Sequence, residues 1–124
     1  SPDTIEMMIR KEFGSEGDNA IKISTCESRL NPSKHSTVDL MADGRAFSIG
    51  LFQINLTVSE VGGIDCTKAF SGRNSKAVVI DEQLYFKCVR LAENPNINLE
   101  SAKDKFNRSG WERPWTYCYR QMIQ

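Results

Sequence analysis

The chain has 124 residues, a formal net charge of +0, 40% hydrophobic residues and 26% charged residues. This length and apolar content fit one folded domain spanning residues 1–124 and exclude a disordered chain. The balanced charge disfavours nucleic acid as a partner, and no run approaches the roughly 20 apolar residues that a membrane span needs.

Helical periodicity predicts two helices at the start of the chain. Residues 4–13 place apolar side chains on one stripe, which Gly14 ends. The members of that stripe are Ile5, Met8, Ile9 and Phe13. A second helix is predicted over residues 19–30, with Asp18 as its cap and the Asn31–Pro32 pair as its end.

The second helix carries a glutamate where its pattern asks for an apolar residue. Ala20, Ile23 and Leu30 form the apolar stripe, and Glu27 completes it. Burial raises the pKa of a carboxyl group, so a buried glutamate can act as a proton donor near neutral pH. The alternative is an ion pair with Arg29 or with a lysine from another segment, and the helical pattern alone favours that alternative.

Residues 33–56 lose the helical period and predict a short β-hairpin or an ordered loop, with a tight turn at Asp43 and Gly44. A polar connection follows. A long helix is then predicted from a cap at Asn74 or Ser75 to about Ala92. After a break at residues 94–95, a short helix around residues 99–106 is closed by Gly110, and a last segment runs over residues 111–122. The predicted fold class is mainly α, with a small β or loop region after the second helix.

The four cysteines are Cys26, Cys66, Cys88 and Cys118. Their spacing, with a single histidine in the chain, gives no zinc signature. An even count in a small domain predicts two disulfides and an oxidising compartment, with four free buried thiols as the alternative. Three pairings are open at this point. The first four residues lack the basic and apolar regions of a signal peptide, so we expect a mature or trimmed form.

Two segments in order carry a resemblance to a known family. They are residues 26–32 (CESRLNP) and residues 47–55 (FSIGLFQIN). Together they resemble the lysozyme superfamily, and its soluble lytic transglycosylase branch most closely. The resemblance covers about residues 20–56 and implies an α+β lysozyme-like fold and cleavage of the β-1,4 bond between N-acetylmuramic acid and N-acetylglucosamine in peptidoglycan.

The resemblance also implies roles for individual residues. Glu27 matches the catalytic acid of the family, and Ser48 matches a serine that orients the acid or the substrate N-acetyl group. Gly50 matches a position where the backbone passes close to the sugar. Gln53 and Asn55 match positions that line the cleft, although asparagine also stabilises turns by itself.

The second carboxylate is left open by the resemblance. Animal-type lysozymes carry an aspartate where Ser48 stands here. Asp39 and Asp43 are the remaining candidates, but Asp43 precedes Gly44 and first predicts a turn. The resemblance to transglycosylases implies that the substrate's own N-acetyl group replaces a second carboxylate, and that the product is a 1,6-anhydro sugar. The chain is thus expected to be a lytic transglycosylase or a hydrolytic muramidase.

Residues 110–118 (GWERPWTYC) look more like the close of animal-type lysozymes than like transglycosylases, whose Ala-Tyr-Asn-Ala-Gly string does not occur. That similarity implies the disulfides Cys26–Cys118 and Cys66–Cys88. Aromatic candidates for the cleft wall are Tyr85, Trp115 and Tyr117, but aromatic residues at helical spacing are more often core.

The expected partner is the glycan strand of peptidoglycan, bound by a monomer that is secreted, periplasmic or virion-associated and uses neither a cofactor nor a metal. One alternative is an inactive glycan-binding module with the same cleft. Another is cysteine chemistry using Cys26 and His35, which requires a free thiol at Cys26.

Overall fold

Helices dominate the structure, a computed structural model that describes residues 1–123. The helices are α1 (Pro2–Phe13), α2 (Gly17–Ser28), α3 (Glu82–Glu93), α4 (Pro95–Ser109) and α5 (Thr116–Met122). Three antiparallel hairpins lie between α2 and α3: β1 (Ser48–Ile49) with β2 (Ile54–Asn55), β3 (Glu60–Val61) with β4 (Ile64–Asp65), and β5 (Phe70–Ser71) with β6 (Val78–Val79). The predicted mainly helical class with a small β region after the second helix is confirmed.

The first two helices pack against each other. α2 begins at Gly17, so Asp18, the predicted cap, lies inside its first turn instead. α1 ends at Gly14, whose φ of 55° lets its N–H bond to the Arg10 carbonyl. α2 ends at Ser28, two residues earlier than predicted, because Arg29 and Leu30 take left-handed φ angles of 56° and 59°. Leu30 therefore lies beyond the helix. The buried residues of α2 are Gly17, Ala20, Ile23, Ser24 and Ser28.

The predicted long helix from residue 75 begins later, at Glu82. Residues 78–79 form strand β6 instead, paired with β5, because two adjacent β-branched valines favour a strand over a helix. The helix is capped by Asp81, whose Oδ1 accepts a 3.0 Å hydrogen bond from the Leu84 N–H. Asn74 and Ser75 lie in a separate 3-10 turn.

The fourth helix is longer than predicted, since it starts at the proline that ends the preceding helix. Asn94 Oδ1 accepts hydrogen bonds from the N–H groups of Asn96 and Ile97, and Pro95 occupies the first helical turn. Proline suits that position because its missing N–H has no partner to lose there. The last helix is shorter than the predicted segment and begins at Thr116.

Two disulfides tie these elements together, in the pairing implied by the sequence resemblance. Cys26 in α2 joins Cys118 in α5, and Cys66 joins Cys88 in α3. No helix within residues 1–123 is long and apolar enough to cross a membrane. The disulfides agree with an oxidising, extracytoplasmic compartment.

The core gathers the aromatic side chains of distant segments. Phe13 stacks near Phe52 and Trp111, with ring centroids 5.6 and 5.2 Å apart. Trp115 packs on Phe52 at 5.8 Å and donates a 2.8 Å hydrogen bond from Nε1 to the Phe52 carbonyl. This buried contact fixes the segment before α5 against the β1–β2 hairpin.

Candidate active site

An open cleft of about 510 Å³ lies between the end of α2, the β1–β2 hairpin and the start of α5. It is lined by Cys26, Glu27, Lys34, Ser36, Thr37, Val38, Asp39, Ser48, Gln53, Asn55, Pro114, Trp115, Thr116, Tyr117 and Cys118. Among the residues singled out in the sequence, it brings together Glu27, Asp39, Ser48, Gln53 and Asn55. Asp43 and Gly50 do not line it.

Two buried serines hold the end of α2 against the hairpin. Ser24 Oγ and Ser28 Oγ donate hydrogen bonds of 2.9 and 2.7 Å to the carbonyl of Leu51. These serines satisfy a carbonyl in the core that would otherwise lack a partner. The backbone next to Glu27 is therefore fixed relative to the hairpin. Periodicity did not identify Ser24, because a serine on a buried face carries no apolar signal.

Glu27 is half-buried and opens into the cleft. Its pKa is raised from 4.5 to about 7: burial is the largest cause, the nearby Asp39 charge adds to it, and Lys34 opposes both. Within residues 1–123, no cation lies within 4.0 Å of the Glu27 carboxyl group. The ion pair that the helical pattern favoured is therefore not formed. Lys34, which the sequence analysis did not identify, lines the cleft, and its positive charge lowers the pKa of Glu27.

The raised pKa of Glu27 predicts that stability depends on pH. Between pH 4.5 and about 7 the folded chain keeps a proton that the unfolded chain has lost, so the free energy of unfolding falls as pH rises. Ionising the folded carboxyl group costs on the order of 3 kcal/mol. Glu27→Gln removes this cost, so urea unfolding at pH 8 should show a more stable variant, and at pH 4 the two chains should be nearly equal. A difference that is the same at both pH values would contradict the burial of this acid.

Asp39 is held in the cleft by two serines. Ser48 Oγ donates a 2.8 Å hydrogen bond to Asp39 Oδ2, and Ser36 Oγ accepts a 2.8 Å bond from the Asp39 N–H. The Asp39 carbonyl also accepts a backbone bond from Phe47, which places residue 39 beside β1. Ser48 thus positions a carboxylate that comes from nine residues earlier in the chain.

Asp43 belongs to the turn rather than to the cleft. Its carboxylate accepts hydrogen bonds of 2.9 Å from the N–H and from Nε of Arg45, and this pairing lowers its pKa. The same arginine bonds to both oxygens of Glu82. Of the two candidate second carboxylates, only Asp39 lines the cleft together with Glu27.

Gly50 is packed closely against neighbouring backbone and side-chain atoms, and its expected approach to a sugar stays a prediction. Its φ is 86°, and a Cβ atom there would lie 2.3 Å from the Ala92 carbonyl oxygen and 2.4 Å from Asn98 Nδ2. Asn98 is fully buried and uses its whole amide: Nδ2 donates to the carbonyls of Ile49 and Ala92, and Oδ1 accepts from the Phe52 N–H. Gly50 thus lets the hairpin reach the α3–α4 junction.

Gly50→Ala should therefore destabilise the fold by about 2–4 kcal/mol, from overpacking added to backbone strain. Gly44→Ala is a matched control, because Gly44 has a φ of 88° but nothing within 4 Å of the added Cβ. It should cost only the strain, about 1–2 kcal/mol. Urea unfolding of both variants measures the difference, and equal losses would contradict the packing role of Gly50.

Gln53 and Asn55 line the cleft but also make internal contacts. Gln53 Nε2 donates to the carbonyls of Lys34 and Gly50, and its φ of 50° is unusual for a residue with a side chain. Asn55 Oδ1 accepts from the Thr57 N–H at 3.0 Å and caps a 3-10 turn. The turn role expected for Asn55 is present together with its place in the cleft.

The aromatic candidates separate into two groups. Trp115 and Tyr117 line the cleft, and Tyr117 is 72% exposed, so its ring is free to contact a ligand. Tyr85 is buried elsewhere and donates a 2.8 Å hydrogen bond to the Ala46 carbonyl. Of the three aromatic candidates, Tyr117 is therefore the one best placed to contact a ligand in the cleft.

Cysteine chemistry is excluded, because all four cysteines are in disulfides and none is free. His35 bonds to Glu93 through Nε2 at 2.9 Å. Within residues 1–123, no group of three or more histidine, cysteine, aspartate or glutamate side chains is arranged to hold a metal ion.

No family model, no curated protein and no solved structure matches this chain. The proposal of a function therefore depends on the residues of the cleft and on the two sequence segments around Glu27 and Ser48.

Proposed function

We propose that this chain cleaves the β-1,4 bond between N-acetylmuramic acid and N-acetylglucosamine in peptidoglycan strands, with Glu27 as general acid and then general base. The observation that carries the proposal is an acid with a pKa of about 7 in an open cleft. Such a group still holds its proton near neutral pH, so it can protonate the oxygen of the leaving sugar. It can then take a proton from the attacking water.

The other cleft residues suit a sugar ligand. The hydroxyls of Ser36 and Thr37 and the amides of Gln53 and Asn55 can exchange hydrogen bonds with sugar hydroxyl and acetamido groups. The exposed ring of Tyr117 offers an apolar face to the C–H side of a sugar. The choice of peptidoglycan among glycans rests on the sequence resemblance, and the two disulfides agree with action outside the cytoplasm.

The position of Asp39 supports hydrolysis over transglycosylation. A hydrolytic glycosidase usually has two carboxyl groups in its active site, one protonated and one ionised. Asp39 accepts a hydrogen bond from Ser48 and lies close enough to raise the pKa of Glu27, so its charge can stabilise the positive charge that develops on the reacting sugar. We expect reducing-end products.

Mass spectrometry of the fragments released from purified sacculi tests both parts of the proposal. Reducing-end muropeptides support hydrolysis. Fragments lighter by one water would instead indicate the 1,6-anhydro product and a role for the substrate's N-acetyl group. No release of fragments between mildly acidic and neutral pH would contradict the enzymatic function.

Asp39→Asn should lower the rate of release about 100-fold or more, since it removes a charge that stabilises the transition state. It should also lower the pKa of Glu27, so the remaining activity is lost at a lower pH than in the unmodified chain. The pH profile of release measures both effects.

Asp43→Asn is the matched control for this change, because Asp43 lies outside the cleft and should leave rate and profile unchanged. An Asp39→Asn variant with normal rate and an unshifted profile would exclude Asp39 from the reaction.

A further inference from the structure

The cleft continues past Trp115 into a second, smaller cavity of about 240 Å³. Gln53, Asn55, Pro114 and Trp115 line both cavities, so they form one continuous surface. The second cavity adds two cations to the lining, and we call it the cationic extension. Its residues beyond the shared four are Ile54, Val58, Lys105 and Arg113.

Lys105 is a half-buried cation that lacks an anionic partner. Its Nζ donates a 2.7 Å hydrogen bond to Ser59 Oγ. Burial lowers the pKa of Lys105, and the nearby Arg108 lowers it further. Glu60, Glu100 and Asp104 line an adjoining cavity with Lys105, but within residues 1–123 no carboxylate lies within 4.0 Å of its Nζ. An anion in the extension would supply the missing charge and stabilise the half-buried ammonium group of Lys105.

Arg113 provides the second cation, from the exposed segment just before Pro114. Over the described part of the chain its guanidinium forms no ion pair, in contrast to Arg45, which pairs with both Asp43 and Glu82. A guanidinium presents a planar fork of donors that matches a carboxylate. Two unpaired cations at one end of a glycan cleft therefore favour an anionic group on the glycan.

We infer that the cationic extension binds a carboxylate carried by the muramyl substituent of the strand, and that Lys105 and Arg113 make the chain prefer strands that bear this charge. The inference rests on the proposed function. Two sources share this chemistry: the lactyl carboxylate of peptide-free muramic acid, and the carboxylates of a stem peptide. In either case the sugars next to the reacting bond occupy the main cleft, and the charged branch reaches past Trp115.

The test measures binding, so that it does not depend on catalysis. The chain carrying Glu27→Gln is titrated calorimetrically with three soluble strands: with stem peptides, with the peptides removed to leave lactyl carboxylates, and with stem-peptide carboxyls converted to amides. Adding Lys105→Gln and Arg113→Gln should weaken binding of a carboxylate-bearing strand about 10- to 100-fold and leave the amidated strand unchanged. If the double variant loses affinity only for the strand with stem peptides, the peptide is the source of the carboxylate. If the double variant also loses affinity for peptide-free strands, the lactyl group is the source of the carboxylate.

The control removes two exposed cations elsewhere, with Lys87→Gln and Arg120→Gln, and should change no affinity. Arg113→Gln alone is a second variant that disturbs no buried contact, and it should weaken binding of the charged strands in the same direction. Equal weakening on the amidated strand, no weakening on any strand, or no binding at all would overturn the inference. Failure of the proposed function is a different result: the unmodified chain would release no fragments although the charge-dependent binding was intact.

Discussion

Glu27→Gln is expected to reduce the release of fragments from peptidoglycan by at least about 1,000-fold while leaving the fold intact. Glutamine has nearly the same shape but cannot donate an acidic proton, and general acid catalysis contributes about 10²- to 10⁴-fold to such reactions. Loss of the later base step adds to the effect. The measurement is the rate of muropeptide release from purified sacculi, with circular dichroism to confirm the fold.

The matched control is Glu12→Gln, on the exposed side of α1 and away from the cleft, which should keep full activity.

In the unmodified chain, activity should fall as pH rises through about 7, because Glu27 then loses the proton that it donates. A Glu27→Gln variant as active as its control would exclude this acid. A chain that binds strands but cuts none, with or without Glu27, would be the inactive glycan-binding module.

Local patterns predicted the fold well where a single helix buries one apolar face. α1 and α2 were located within two residues at each end because their stripes and stop signals are local. α3 was predicted to start too early, since the apolar residues of β6 continue its pattern and only pairing with β5 reveals a strand. α4 was predicted too short because Pro95 ends one helix and begins the next.

In the candidate site, the sequence pointed to Glu27 but gave less information on the residues that surround it. Glu27 stands out because a carboxyl group follows Ala20 and Ile23 on the buried stripe of α2, a signal that is local in the sequence. Asp39 reaches the cleft only through tertiary hydrogen bonds to Ser48 and Ser36, which no spacing rule encodes. Asn98 is a further omission: it orders the hairpin from a helix more than forty residues away, and a polar residue in a predicted helix suggests an exposed position.

Removing the Cys26–Cys118 disulfide should cause the larger loss of loop-closure stabilisation. It closes a loop with a sequence separation of 92 residues, compared with 22 for Cys66–Cys88. On the chain-entropy account these loops correspond to about 4.6 and about 3.4 kcal/mol. The first value is a large share of the roughly 5–15 kcal/mol that stabilises a typical domain. Urea unfolding of the double variant with Cys26→Ala and Cys118→Ala measures the loss.

The same disulfide also joins the two walls of the cleft, so its removal should affect activity before the chain unfolds. Cys26 precedes Glu27, and Cys118 follows Tyr117 on the opposite wall. Without the bond, α5 is held to α2 only by packing, and the Tyr117 ring loses its fixed position over the cleft. The comparison variant, Cys66→Ala with Cys88→Ala, removes two fully buried side chains and so adds a packing loss of its own, but its bond lies away from the cleft. At a temperature where both variants remain folded, the first should release fragments more slowly and the second at the normal rate. Equal rates would mean that packing around Trp115 alone is enough to hold the cleft wall.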